Sequence, residues 1–457
     1  MSANGENLLA LRARLAEHKQ EHLLRFFDEL DQTGKDRLLE DIARVDFAWL
    51  ERVWRGEEKE GEGLIEPYTD AIALDASDRA EAVSKGQSAL AAGQVGTLLV
   101  AGGSGSRLGF DGPKGNFPIG EVSGRTLFEI FCQRQLALGQ RFGQIPPLYL
   151  MTSPDNHQQT LDIFAENSNF GIPAERLLIF PQGEAPTVDE SGKLLLGAKD
   201  QLAWFANGNG GLFAAMKDGG AFDHMREAGV VSISYVQVDN ALALACDPRF
   251  VGYHLLRDAE FSSKAMPKAG PMEKVGNYAW VDGRLWIVEY FEISDALAHQ
   301  RDDQGQLLFN YGNPGLFVWS RGFAERQASR LDLPYHKAHK KIPHLGDDGT
   351  MRSPESPNGY KFECFALDTL ADTDRTALIV CEREAEFAPV KNASGVDSPD
   401  SARALMSTLY RGWLKGAGVE VLEGQVVEIS PLFALDAEEL KSKVPPALPS
   451  QGPLYLK

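Results

Sequence analysis

A doubly wound, mostly parallel α/β core is the fold this sequence predicts, and three observations predict it. Short apolar runs recur at 97–101, 148–151, 177–180, 230–238 and 377–381. Helical stretches and Gly-rich turns separate them, the alternation that produces crossover units and parallel strands. The first run ends in a glycine-rich turn, which is where open α/β sheets bind ligands.

The chain can then be followed in order. From Leu8 to Trp54 apolar residues recur at three- and four-residue steps, among them Leu11, Leu15, Leu23, Phe26, Phe27, Leu30, Leu38, Leu39 and Ile42, which predicts amphipathic helices. Breaks are expected near Thr33 and Gly34, and the polar segment Gly56–Gly63 reads as a linker. Residues 1–90 are therefore taken as an N-terminal helical segment and 91–396 as the main α/β domain. Within the latter, Trp280–Tyr290 reads as a hairpin turning at Asp282 and Gly283. Residues 397–457 are expected to form a small C-terminal domain, with a helix over Ser401–Leu414 and strands at Val419–Leu422 and Gln425–Ile429.

Composition limits the partners. The 457 residues carry 46 Lys and Arg against 65 Asp and Glu, a formal net charge of −19. Such a surface repels nucleic acid and anionic membranes. No stretch reaches the ~18 apolar residues of a membrane span, and the N-terminus turns charged where a signal peptide needs an apolar core. A cytoplasmic protein is expected. The four cysteines, Cys132, Cys246, Cys364 and Cys381, have no CxxC spacing and read as buried, reduced thiols. Oligomeric state is not legible.

The most informative segment is TLLVAGGSGSRLGFDGPKG, Thr97–Gly115. Glycine lets backbone amides approach phosphate oxygens with no Cβ in the way, and Arg107 and Lys114 add two cations. A nucleoside triphosphate needs this convergence of donors and positive charge. Two other loop chemistries fail. A P-loop needs Gly-Lys followed by Ser or Thr, whereas Gly105 precedes Ser106 and Arg107, and Lys114 follows Pro113. A dinucleotide fingerprint counted from Gly103 and Gly105 meets Leu108 where its last glycine belongs.

GGSGSRLG followed by PKG resembles the signature of sugar-nucleotide pyrophosphorylases. Further segments occur in that family's order: FPQG at 180–183, NGNGGLF at 207–213, VDNALALACDPRFVGY at 238–253, VEYFEIS at 288–294, FNYGN at 309–313, KKIPH at 340–344, PNGYKFECFALD at 357–368 and PVKNASGVDSPDSARALM at 389–406. Together they cover most of residues 95–410. The resemblance is to the UDP-N-acetylhexosamine and UDP-glucose pyrophosphorylase group, closest to the N-acetylglucosamine branch, and implies a nucleotide-diphospho-sugar transferase-like core.

The resemblance implies attack by a sugar 1-phosphate on the α-phosphorus of UTP, with pyrophosphate released. Arg107, Lys114 and Lys391 match the family's catalytic cations, and Asp239 matches its Mg²⁺-binding aspartate. Gly102, Gly103, Gly105, Ser106, Gln182 and Gly208 match its nucleotide-binding positions; a side-chain amide at 182 can give both a donor and an acceptor to uracil. Asn209, Gly276, Glu289 and Asn313 match its sugar contacts. The family's usual Gln-Gln-Gly is Pro181-Gln182-Gly183 here. Pro314–Phe317 and Leu367 also depart from the pattern around the sugar 2-substituent. N-acetylglucosamine 1-phosphate is the expected substrate, with glucose or galactose 1-phosphate the alternative and a non-catalytic UDP-sugar sensor a further one.

One cluster stands apart. His336, His339 and His344 alternate with Lys337, Lys340 and Lys341. Neighbouring lysines oppose a metal cation, so a positive rim that guides anionic substrates is the favoured reading.

Overall fold

The computed structural model describes residues 8–56, 63–330, 335–445, 448 and 451–457, so most of the expected linker lies outside the described residues. The chain gathers into two compact units that do not follow sequence order. The first comprises 1–62, 183–212 and 331–368, and the second 63–182, 213–330 and 369–457. This division differs from the three consecutive stretches read from sequence. The helix Arg79–Ala91 belongs with the second unit, and so does the C-terminal stretch.

In the first unit the periodic N-terminal residues do form helices, Leu8–Glu17, Gln32–Ala43 and Phe47–Arg55. The expected break at Thr33 and Gly34 is displaced. Asp31 is the N-cap, its carboxylate accepting the Gly34 amide at 2.8 Å, so both residues fall inside the first helical turn. The Leu23–Leu30 stretch makes two short 3₁₀ turns. Leu11, Leu15, Leu38, Ile42 and Leu50 pack on Val188, Leu194, Leu202 and Phe362, which come from later segments of the chain.

The second unit is built on one eleven-stranded sheet. Its strands are β1 (Ile65–Pro67), β2 (Val95–Val100), β3 (Leu148–Thr152), β4 (Leu177–Pro181), β5 (Ser232–Gln237), β6 (Phe261–Pro267), β7 (Asn277–Val281), β8 (Arg284–Val288), β9 (Tyr311–Gly312), β10 (Phe317–Ser320) and β11 (Thr376–Val380). The order is β1-β7-β9-β6-β10-β5-β2-β3-β4, with β8 beside β7 and β11 beside β6. Strands β5, β2, β3 and β4 are mutually parallel, as the apolar runs predict, with Leu98 opposite both Tyr235 and Tyr149. Antiparallel β10 then joins β5 to β6 and the smaller strands beyond. The β7–β8 hairpin turns at Asp282 (φ 51°) and Gly283 (φ 77°), the doubly left-handed geometry of a type I′ turn.

Helix Leu127–Phe142 covers the parallel strands, burying Phe128, Ile130 and Phe131 against Leu99, Leu148 and Leu150. The helix Arg79–Ala91 meets Pro248–Leu256 with almost no gap. A Cβ on Gly86 would lie 1.8 Å from the Pro248 carbonyl oxygen, and one on Gly252 would lie 1.7 Å from that of Ala82. At the C-terminus helix Pro399–Gly416 and strand Val427–Ile429 form as expected, the strand pairing in parallel with Leu454–Leu456. Val419–Leu422 makes no strand. Met406, Tyr410, Val427 and Leu454 share the core of Phe128 and Leu150, which is why 397–457 is not a separate body.

Candidate active site

Strand β2 is buried along nearly its whole length and releases the chain at Ala101, where the glycine-rich loop begins. The loop closes on itself: Gly105 N donates to the Gly112 carbonyl at 2.8 Å, and Lys114 N donates to that of Gly103 at 3.0 Å. A Cβ on Gly105 would stand 2.7 Å from the Phe110 ring and 2.9 Å from the Phe110 carbonyl oxygen, so only glycine fits. Gly103, Ser106 and Arg107 are exposed on this loop, and Arg107 has no carboxylate partner among the described residues. Asn156, not singled out from sequence, supports the turn from below. Its Nδ2 donates to the Ala101 carbonyl at 3.1 Å, and its Oδ1 accepts the Ser153 amide at 2.9 Å. The Ser-x-x-Asn start of helix Pro154–Glu166 was the available signal.

Gln182 follows β4 and is held by its amide, which donates to the Thr152 carbonyl at 2.7 Å. A Cβ on Gly102 would lie 3.1 Å from Ser153 N and 3.5 Å from Gln182 Oε1. The amide group expected to read a base is thus next to the loop glycine.

Asp239 lies just beyond β5, the parallel neighbour of β2. Its Oδ2 is 3.6 Å from Lys114 Nζ, with the two side chains 17% and 13% exposed. The next residue, Asn240, bonds to the segment that leads to Lys391: Nδ2 donates to the Glu386 carbonyl at 2.8 Å and Oδ1 accepts the Ala388 amide at 2.9 Å. Val390 N donates to the Asp239 carbonyl at 2.7 Å. Lys391 therefore sits one residue from a direct backbone bond to Asp239, although 152 positions separate them in sequence. Its side chain is exposed, with Nζ 5.8 Å from the Phe387 ring centre.

The remaining second-unit candidates also converge. Asn313 N donates to the Gly276 carbonyl at 2.9 Å, and a Cβ on Gly276 would lie 3.3 Å from Glu289 Oε1. Asn313 Oδ1 accepts from Tyr278 Oη at 3.1 Å and from Gly315 N at 2.8 Å, which fixes its amide orientation. Burial, and then Glu292, push the Glu289 carboxyl above its ordinary range. Gly208 and Asn209 belong to the first unit. Gly208 has φ +84°, and a Cβ there would lie 2.3 Å from the Cys364 carbonyl oxygen. Asn209 Oδ1 accepts the Ala366 amide at 3.1 Å.

The histidine and lysine cluster divides. Lys337 Nζ donates to the Trp54 carbonyl at 2.9 Å, and His336 and His339 pair with Asp368 and Glu190 at 3.0 and 3.2 Å. Lys340 and Lys341 are exposed. Among the described residues no group of three His, Cys, Asp or Glu is arranged to hold a metal. A cation at Asp239 would take its other ligands from phosphate oxygens and water, the donor set that suits Mg²⁺. The Lys114 ammonium at 3.6 Å already marks that carboxylate as a place for positive charge. All four cysteines are buried and unpaired, and no helix among the described residues is long and apolar enough to cross a membrane.

Residues 58–441 match the family described as UTP–glucose-1-phosphate uridylyltransferase. The chain belongs to this family. Within it, the chain is 33% identical over 465 residues to UDP-N-acetylglucosamine diphosphorylase 2 of Arabidopsis thaliana, covering 95% of this chain and 91% of that protein. It is 33% identical over 478 residues to the human UDP-N-acetylhexosamine pyrophosphorylase-like protein 1, covering 94% of each. A crystal structure of the uridine diphosphate N-acetylglucosamine pyrophosphorylase from Trypanosoma brucei superimposes with a TM-score of 0.83 at 28% identity, over 100% of this chain and 99% of that one. The chain is accordingly an enzyme of the uridylyltransferase class, acting on UTP and a sugar 1-phosphate.

Proposed function

We propose that this enzyme makes UDP-N-acetylglucosamine and pyrophosphate from UTP and N-acetylglucosamine 1-phosphate, with Mg²⁺ bound at Asp239. The observation that carries the reading is the meeting of Lys114, Asp239 and the Val390–Lys391 backbone at the ends of β2 and β5. Two polyanions must be brought together, so the work of the site is neutralising charge and holding the attacking oxygen in line with the α-phosphorus. Arg107 and Lys114 neutralise the triphosphate from the loop side, and Lys391 neutralises charge from the other. Mg²⁺, when bound, adds Lewis-acid stabilisation of phosphate oxygens. No covalent protein intermediate is needed, because the sugar phosphate itself displaces pyrophosphate.

The N-acetyl sugar is favoured by the names of the full-length relatives, and Gly276, Glu289 and Asn313, which lie near one another, are the residues proposed to face its hydroxyl and amide groups. The cytoplasm is the proposed compartment. A panel of pyrophosphate-release assays tests the reading, crossing UTP and other nucleoside triphosphates with N-acetylglucosamine, N-acetylgalactosamine, glucose and galactose 1-phosphates. The highest kcat/KM is expected for UTP with N-acetylglucosamine 1-phosphate. A preference for glucose 1-phosphate would move the enzyme to the hexose branch, and nucleotide binding without release for any sugar would make it a sensor.

A further inference from the structure

The roles assigned so far leave one group of charges unused. Lys264, on β6, is fully buried, with Nζ 2.7 Å from Asp247 Oδ2 and bonded to the Glu386 carboxylate. Asp247 also caps helix Pro248–Leu256, accepting the Arg249 amide at 2.9 Å, while Arg249 Nη2 donates to the Val380 carbonyl at 3.0 Å. The cluster thus holds two cations and two carboxylates. Burial opposes the charge on Lys264, yet the Asp247 and Glu386 carboxylates outweigh it and hold the ammonium above its ordinary range.

Buried ion pairs are poor sources of stability compared with apolar packing, and fixing one geometry is their better-attested use. The position of this one suggests what is fixed. Glu386 is five residues before Lys391, and its carbonyl is the acceptor for Asn240 Nδ2. From Glu386 onward the chain is pinned to the end of β5 through Ala388 N, the Asn240–Pro389 bridge and Val390 N. The Lys264 amide donates to the Leu316 carbonyl at 3.0 Å, in the chain that follows Asn313 and Gly315. Lys264 therefore connects the Lys391 segment with the strand that borders the sugar contacts.

We propose that the Lys264–Glu386 ion pair is a positioning pair for uridylyl transfer, setting the register of Glu386–Lys391 against Asp239–Asn240 and so the place of the Lys391 ammonium. This rests on the assignment of Lys391 to the transfer step. Neither Lys264 nor Glu386 need touch a substrate. If the pair acts through Lys391, losing it slows turnover in the same way as losing Lys391, and the two losses do not add.

The test is a double-mutant cycle on the full-length enzyme: Glu386→Gln, Lys391→Ala and the combination, with kcat, KM for both substrates, UTP affinity by calorimetry and Tm. Glu386→Gln is expected to lower kcat about tenfold or more with KM shifted less than about threefold, and to cost nothing further in the Lys391→Ala background. Losses that multiply, or a wild-type kcat for Glu386→Gln beside a slow Lys391→Ala, would overturn the positioning role. A wild-type kcat for Lys391→Ala would instead overturn the assignment of Lys391, and the proposal with it. If Glu386→Gln does not fold, Lys264→Arg, which keeps the charge but moves it, is read in the same cycle against the same outcomes.

Discussion

Lys114 Nζ lies 3.6 Å from Asp239 Oδ2, so the loop cation faces the carboxylate proposed to bind metal. An ammonium and a divalent ion compete for the same negative charge. Lys114→Ala is therefore expected to lower kcat/KM by about a hundredfold or more, because a charge-neutralising group is lost. The same variant should bind Mn²⁺ more tightly when nucleotide is absent. Titration followed by electron paramagnetic resonance measures this, and unchanged or weaker binding would show that the pair does not compete with metal.

Gly208 has a left-handed backbone and a wall where its Cβ would be, 2.3 Å from the Cys364 carbonyl oxygen. Gly124 has φ +70° and open space around it. Gly208→Ala should weaken UTP binding and cost about 1–3 kcal/mol of stability, whereas Gly124→Ala should cost only the left-handed term of about 1–2 kcal/mol and leave binding intact. Denaturant melts and calorimetric titration of the two variants separate these effects.

His254 is buried beside Ser262, with Nδ1 2.8 Å from its hydroxyl oxygen. Burial, helped by Arg375, lowers it to about 3. The unfolded chain takes up the proton near the ordinary value of about 6.5, while the folded one resists until about 3, so stability falls as pH drops through that window. By pH 5 the loss attributable to this group is about 2 kcal/mol. Stability curves from pH 8 to pH 4 should be shallower for His254→Gln than for the wild type, and parallel curves would refute the assignment.

Lys340 and Lys341 are exposed, as is Lys337, whose ammonium donates to the Trp54 carbonyl. Replacing both with Gln should raise KM for the anionic substrates and flatten its dependence on salt, with kcat nearly unchanged. Steady-state kinetics across ionic strength decide this, and constants identical to the wild type's reject a steering role.

Much of the candidate site was legible because its residues lie in local runs. Gly102–Lys114 suggest phosphate binding within a single loop, and the close contact at Gly105 and the positive φ of Gly109 and Gly112 explain why glycine is needed at those positions. The hairpin at Asp282–Gly283 and the parallel strands were legible for the same reason, since turn residues and apolar runs act over short distances. The helix break at Thr33 was misplaced because a capping aspartate two residues earlier outweighs the glycine as a boundary signal. Asn156 was overlooked because its value lies in two carbonyl and amide partners brought to it by β2 and helix Pro154–Glu166.

By itself the sequence determined the α/β class, the glycine-rich loop proposed to hold the triphosphate and the family resemblance, all of which rest on residue type and spacing. Tertiary structure alone decided that 63–90 and 397–457 share the catalytic sheet's unit, and that 183–212 joins the N-terminal helices. It also decided that Asp239 touches Lys114 and is bonded through its backbone to Val390. The physical reason is that these relations are set by burial and by backbone pairing between distant segments. A run of sequence shows that a residue can be buried, but not which partner will bury it.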